Sequence, residues 1–168
     1  MKETEYKFIV DKIPPTKDKT YISQYYIEDK KIQHQILPLL EIEKCVWDKI
    51  ETVRVRKCVS MRKETYYLTA KTGGDFTRDE YEIKIPKNLA EKFIKHSNKK
   101  IQKIRSVIWA SGLKFEFDFY YTRQNKLKIC EIEVQNTQNY DKMLNNFENL
   151  FKIKAKDVTF DNNYKNFN

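Results

Sequence analysis

Charged and apolar residues alternate along most of the chain, with the two-residue period of half-buried β-strands. The first row sets Glu3, Glu5 and Lys7 against Thr4, Tyr6 and Phe8, in a strand expected over 3–10. In Ile50–Cys58, Val53 and Val55 alternate with Arg54 and Arg56. In Arg78–Ile85, the row Arg78, Glu80, Glu82 and Lys84 opposes Tyr81, Ile83 and Ile85. In Leu113–Tyr121, Lys114, Glu116, Asp118 and Tyr120 oppose Phe115, Phe117 and Phe119. In Leu127–Gln135, Glu131, Glu133 and Gln135 oppose Cys130, Ile132 and Val134. Thr20–Ile27, Thr65–Lys71 and Lys99–Trp109 are rich in β-formers and complete a set of about eight strands.

Turn signals separate these runs. They are Pro14-Pro15, Thr72-Gly73-Gly74-Asp75, Ala110-Ser111-Gly112 and a loop over Thr122–Lys126. The period changes twice. Pro86 opens a helix expected over Lys87–Ser97, with Leu89, Phe93 and Ile94 as its stripe. A second helix is expected over Asn139–Phe151, with Met143, Leu144, Phe147, Leu150 and Phe151 inward. Residues 28–49 read as an insertion broken by Pro38, and the tail from Ala155 shows no clear element. Eight strands joined largely by short turns predict a mainly β, α+β fold: an antiparallel sheet or closed barrel with a few flanking helices.

Composition narrows the class. A chain of 168 residues fits one domain over 1–168 with a core of its own. No run of 18 apolar residues is present, and the N-terminus has no apolar stretch of the signal-peptide kind. Cys45, Cys58 and Cys130 are odd in number and widely spaced, which points to reduced thiols and a cytoplasmic setting. With His34 and His96 the only histidines, a metal site or triad built on histidine is nearly excluded. The net charge of +9 comes mostly from lysine and is partly compositional; the few arginines are more telling, because most fall in strands.

Any one charged row is ordinary for a sheet with one wet face. Together the rows are not, because acids recur as Glu-x-Glu or Glu-x-Asp on four strands and bases as Arg-x-Arg on a fifth. Like charges along one strand face call for a counter-ion. Carboxylates without histidine or cysteine suit hard, oxygen-seeking Mg²⁺ or Mn²⁺. Arginines with lysines suit phosphate oxygens. A metal, a cationic row and a polyphosphate make a phosphoryl-transfer site. Gly73-Gly74 lacks the frame of a phosphate loop and reads as a turn.

The ordered set of motifs resembles the CYTH superfamily, the triphosphate tunnel metalloenzymes. Glu3-x-Glu5-x-Lys7 resembles the family's opening signature, and Arg54-x-Arg56, Leu68-Thr69-x-Lys71 and Arg78-x-Glu80-x-Glu82 resemble its successive strands. Arg105, Glu116-x-Asp118, Glu131-x-Glu133, Val158-Thr159, Tyr164 and Asn166 continue the series. Lys84 stands where a third acid is usual, Asn163 where an arginine often precedes the tyrosine, and residues 28–49 exceed the usual connection.

The resemblance implies an eight-stranded antiparallel tunnel that holds a triphosphate. It implies Glu3, Glu5, Glu131, Glu133 and Asp118 as metal ligands, supported by Glu80, Glu82, Arg78 and Glu116. It implies Lys7, Arg54, Arg56, Lys71 and Arg105 as the phosphate clamp, and Tyr26 with Lys7 as a water-activating pair. The expected activity is Mg²⁺- or Mn²⁺-dependent hydrolysis of tripolyphosphate, a nucleoside triphosphate or thiamine triphosphate. A class IV adenylyl cyclase and a non-catalytic polyphosphate- or nucleotide-binding module are the alternatives. An RNA 5′-triphosphatase fits less well, because Lys7 replaces the last acid of its Glu-x-Glu-x-Glu strand. The expected partner is a small-molecule triphosphate rather than a membrane or nucleic acid, and a homodimer is compatible with the sequence.

Overall fold

A computed structural model describes residues 2–74, 76–121, 126–134, 140–161 and 163–164, with side chains from Thr4 onward. Expectations for Asp75, the 122–125 loop, Gln135, Asn139, Asn166 and the Glu3 side chain lie outside the described residues.

Among the described residues there are nine strands: β1 (Lys2–Val10), β2 (Lys19–Tyr26), β3 (Ile50–Ser60), β4 (Lys63–Thr72), β5 (Thr77–Ile85), β6 (Lys99–Ala110), β7 (Leu113–Tyr120), β8 (Leu127–Glu133) and β9 (Ala155–Asp157). They hydrogen-bond in the order β5-β4-β3-β2-β6-β7-β8-β1-β9, and β5 also pairs with β1. The fold is therefore a closed eight-stranded antiparallel β-barrel, the second of the two forms the alternation allowed and the one the resemblance implied, with β9 as an extra strand and a few helices. Among the described residues, no helix is long and apolar enough to cross a membrane.

The chain forms two compact units. The first consists mainly of Tyr21–Gly74 and Arg78–Gln102. Its core takes the apolar positions of the strands, Val53 and Val55 of β3 and Leu68 and Ala70 of β4. Helix α2 (Lys87–Ile94) adds Ala90 and Phe93, and ends three residues short of the expected Ser97. The segment read as an unassigned insertion is helical. In α1 (Lys30–Ile36), the Asp29 carboxylate caps the first turn by accepting from the Lys31 amide at 2.8 Å. Two 3₁₀ segments follow, Leu37–Leu40 and Lys44–Lys49. Ile36, Leu37, Leu40 and Ile42 join the core. Buried Gln33 donates through Nε2 to the Ile27 carbonyl at 2.7 Å, which fixes α1 to the end of β2.

The second unit consists mainly of Glu3–Thr20 and Lys103–Asn168, with Phe76 and Thr77. Its core is aromatic: Tyr6 and Phe8 of β1, Phe115 and Phe117 of β7, and Phe147. Phe147 meets Phe8 with ring centroids 4.9 Å apart and Phe115 edge-on at 5.6 Å. The C-terminal helix is not one continuous α-helix. Helix α3 (Tyr140–Asn145) passes into a π-helical turn, Asn146–Phe151. The wider winding keeps Met143 and Phe147 buried but turns Leu150 outward, so Leu150 leaves the apolar stripe that a 3.6-residue period assigns it.

Strand β9 pairs with β1, setting Asp157 opposite Phe8. Beyond it, the Val158 amide donates to the Lys7 carbonyl at 2.9 Å, and the Lys7 amide donates to Thr159 Oγ1 at 3.1 Å. The Val-Thr pair thus anchors the tail on the Lys7 backbone.

Tyr140 donates its hydroxyl to Asp157 Oδ2 at 2.7 Å. That bond, with burial and the Asp157 charge behind it, pushes the phenol up to about 12. The folded value exceeds the ordinary value, so the bond stabilises fully below pH 10 and fades as pH rises through 12. Tyr140→Phe should cost about 1 kcal/mol at pH 8. Melting temperatures taken from pH 8 upward should show the gap to wild type narrowing above pH 10.

Candidate functional site

In the first unit, antiparallel register converts alternation into a continuous polar face. Tyr26 of β2 faces Arg54 of β3, which faces Thr69 of β4, which faces Glu82 of β5. One step along, Gln24 faces Arg56 and Arg56 faces Tyr67; in the other direction, Thr52 faces Lys71 and Lys71 faces Glu80. Directly opposed residues lie about 4.5–5.5 Å apart at Cβ, so the row behaves as one surface.

The charges on this face are only partly matched. Arg56 Nη2 donates to both Glu82 oxygens at 2.7 Å, and its guanidinium lies 5.3 Å from the Tyr67 ring centroid. Thr69 Oγ1 donates to Glu82 Oε2 at 2.8 Å, and Lys71 Nζ lies 2.8 Å from Glu80 Oε2. Arg78 is half-buried at the start of the same β5 row. Arg54 differs from these. It is 3% exposed, and its Nε and Nη1 have no hydrogen-bond partner among the described residues. Arg56 Nε is in the same condition. Leaving guanidinium donors buried and unmet is costly, so the face is built to receive acceptor atoms. Tyr26 is buried, with Lys99 Nζ 4.8 Å from its ring centroid.

The second unit carries a denser cluster. Arg105 Nε and Nη2 donate to Asp118 Oδ1 and Oδ2 at 2.7 and 2.6 Å, Nη2 also to Glu131 Oε2 at 2.8 Å, and Nη1 to Glu116. Lys7 Nζ lies 3.2 Å from Glu131 Oε1 and 3.8 Å from Glu5 Oε1. It also donates to the Tyr164 carbonyl at 3.4 Å. Lys114 Nζ pairs with Glu116. Burial opposes the Arg105 charge more than any single neighbour favours it. Asp118, Glu116 and Glu131 together still hold it protonated, well above its ordinary range. For Glu116 too, burial is the largest single effect and pushes upward, but Arg105 and Lys114 outweigh it and keep the carboxyl below the ordinary value.

Lys103 is a site residue to which the sequence pattern assigned no role. It is 2% exposed, and its Nζ lies 2.6 Å from Asp118 Oδ2 and 3.3 Å from the Tyr120 hydroxyl. Burial and then the Arg105 charge pull its ammonium down, against the attraction of Asp118 and Glu131. The signal was Lys103-x-Arg105, which puts both on one face of β6; the surrounding lysines masked it. Trp109 continues that face four residues beyond Arg105 and is 70% exposed.

Asp118 is fully buried, and its two oxygens already accept from Lys103 and Arg105. Glu133 is exposed and pairs in register with Glu5. Glu116 faces Glu131, and Glu131 faces Lys7. Carboxylates opposed across β7, β8 and β1, with no histidine or cysteine thiolate among them, fit a hard divalent cation. Among the described residues, no three potential ligands are gathered around one point. The acids are held by Lys7 and Arg105, so a cation would have to exchange for those ammonium and guanidinium contacts.

Structural comparison extends over nearly the whole chain. The inorganic triphosphatase NE1496 superposes with a TM-score of 0.58 at 21% identity, over 98% of this chain and 91% of that one. The Hippeastrum protein HpAC1, described as having a dominant triphosphatase activity, gives 0.62 at 12% identity, over 92% and 90%. A Bacillus halodurans protein described as an adenylate cyclase candidate gives 0.56 at 12%, over 90% and 91%. The chain shares their fold. At these identities the likeness extends to the barrel and its strand order, while individual side chains must be argued from the geometry above. No protein-family model and no curated protein sequence matches the chain.

Proposed function

We propose that this protein is a metal-dependent triphosphate hydrolase of the triphosphate tunnel metalloenzyme type. The observation that carries the reading is Arg54, a buried guanidinium with unmet donors in a face that also presents Arg56 and Lys71. A phosphate chain offers the dense acceptor oxygens those donors lack. Triphosphatases among the proteins that share the fold support the same reading.

In this proposal Arg54, Arg56 and Lys71 take non-bridging phosphate oxygens. Lys7 and Arg105 are the second unit's candidates for the same role toward phosphate oxygens. Glu3, Glu5, Glu131 and Glu133 would hold Mg²⁺ or Mn²⁺, with Glu116 beside them, and the ion would supply Lewis-acid polarisation of the phosphate. Asp118, locked between Lys103 and Arg105, sets the position of both, while Glu80 and Glu82 do the same for Lys71 and Arg56; Arg78 extends that row. Tyr26 orients water for attack on the terminal phosphorus. The water oxygen forms the new P–O bond, the bridging P–O bond breaks, and the shortened phosphate leaves with its negative charge held by the cationic row. We place the reaction in the cytoplasm, where cysteines such as Cys45, Cys58 and Cys130 stay reduced.

The test is product identity. Tripolyphosphate, ATP and thiamine triphosphate are each incubated with Mg²⁺ or Mn²⁺ and the products separated. Orthophosphate released from at least one, and lost on adding EDTA, is expected. Cyclic AMP with pyrophosphate from ATP would establish the cyclase alternative, and tight binding without turnover the binding module.

A further inference from the structure

We infer that the second unit carries a binding site for an amphipathic carboxylate, separate from the charged cluster and independent of the proposed reaction. A cavity of about 400 Å³ opens on the reverse face of the strands that hold Lys103, Arg105 and Asp118. Its floor is a cross-strand row, with Ile104 of β6 facing Phe119 of β7 and Phe119 facing Lys128 of β8. Ser106 extends the floor by one step along β6.

The opposite wall is the connection after β1, which contributes Ile13, Pro14 and Pro15. That wall is set in place before any ligand arrives. The Asp11 amide donates to the Lys154 carbonyl at 3.2 Å, and the Lys154 amide returns to Asp11 Oδ1 at 2.9 Å. Lys128 Nζ donates to the Asp11 carbonyl at 2.8 Å, which ties the wall to the floor. The consecutive prolines restrict the backbone between these anchors.

Among the described residues, Lys12, Lys19 and Lys128 line the cavity, and no aspartate or glutamate does. A volume in the range of small-molecule sites, an apolar floor and wall, and ammonium groups around them select a ligand with an apolar body and one anionic end. Inorganic phosphate or a polyphosphate would satisfy the lysines but leave Ile13, Ile104 and Phe119 wet. A neutral hydrocarbon would do the reverse. An aliphatic or aryl carboxylate satisfies both, and Lys128 keeps donors to spare beyond its bond to Asp11.

The experiment uses the full chain with ¹³C-labelled isoleucine methyls, followed by NMR. Decanoate should shift Ile13 and Ile104 saturably, while decanol, of equal length but uncharged, should bind about tenfold more weakly. Acetate and inorganic phosphate should leave those methyls unmoved. The double variant Lys12→Met/Lys19→Met changes only exposed side chains and should weaken decanoate about tenfold. Ser106→Leu, which fills the floor, should abolish the shifts; because Ser106 is buried, the lysine pair provides the test that does not depend on repacking. Equal binding of decanol, a non-saturating response, matching shifts with phosphate, or undiminished affinity in the lysine variant would overturn the proposal.

Discussion

Arg54→Met is expected to raise the melting temperature and, in the same protein, to weaken triphosphate binding by about a hundredfold or more. The two effects have one cause. Arg54 is buried with Nε and Nη1 unmet among the described residues, so the native state bears the desolvation of a guanidinium without full compensation. Methionine keeps the unbranched stem and removes the charge, and replacing buried ionic groups by apolar ones of similar volume is often neutral or stabilising by about 1–4 kcal/mol. Loss of charge-assisted bonds to phosphate oxygens, each worth about 1.5–3 kcal/mol, accounts for the weakened binding. Thermal melts with and without tripolyphosphate measure both effects at once. Wild type should gain stability from the ligand, and the variant should start higher and gain almost nothing. A variant that melts lower yet keeps the ligand shift would make Arg54 a structural residue and remove the main support for the phosphate-binding face.

Glu131→Gln is expected to reduce turnover by about a thousandfold while the protein stays folded. Glu131 accepts from Arg105 at 2.8 Å, lies 3.2 Å from Lys7 Nζ, and stands in register with both Glu116 and Lys7. Among the described residues it is the carboxylate that joins the β7 and β1 sides of the cluster. Glutamine preserves size and one acceptor oxygen, but it offers a divalent ion no charge. Arg105 keeps Asp118 and Glu116, and Lys7 keeps Glu5 and the Tyr164 carbonyl, so neither cation is stranded. The stability cost should then stay near 1–3 kcal/mol rather than the larger penalty of an orphaned buried charge. Circular dichroism and a melt establish the folded state before rates are compared. Unfolding would identify Glu131 as part of the scaffold, and near-normal turnover would end its assignment to the metal.

The strand faces were legible because alternation is a local property. Val53 and Val55 enter a core while Arg54 and Arg56 share the polar face, and Phe115 and Phe117 divide from Glu116 and Asp118 in the same way. Pairing was not legible, because register is settled between strands that are distant in sequence. Nothing in β5 alone shows that Glu80 meets Lys71 or that Glu82 meets Arg56. Lys103 was hidden among neighbouring lysines, since burial rather than residue type distinguishes it. Helix α1 has seven residues and β9 three, too few for either period to emerge. The π-helical turn changes the winding without changing the composition, so Leu150 reads as a core residue and is not one.

Because neighbouring positions in one strand serve opposite faces, these strands tolerate a substitution better than a change of length. Loss of a single codon within β3 would exchange the places of Arg54 and Arg56 with those of Val53 and Val55, burying charge in the apolar core and placing methyl groups on the polar face. Most substitutions disturb one site, whereas that deletion would corrupt two layers at once. Length changes should therefore be tolerated in the connections, such as segment 28–49 between β2 and β3, and not within the strands.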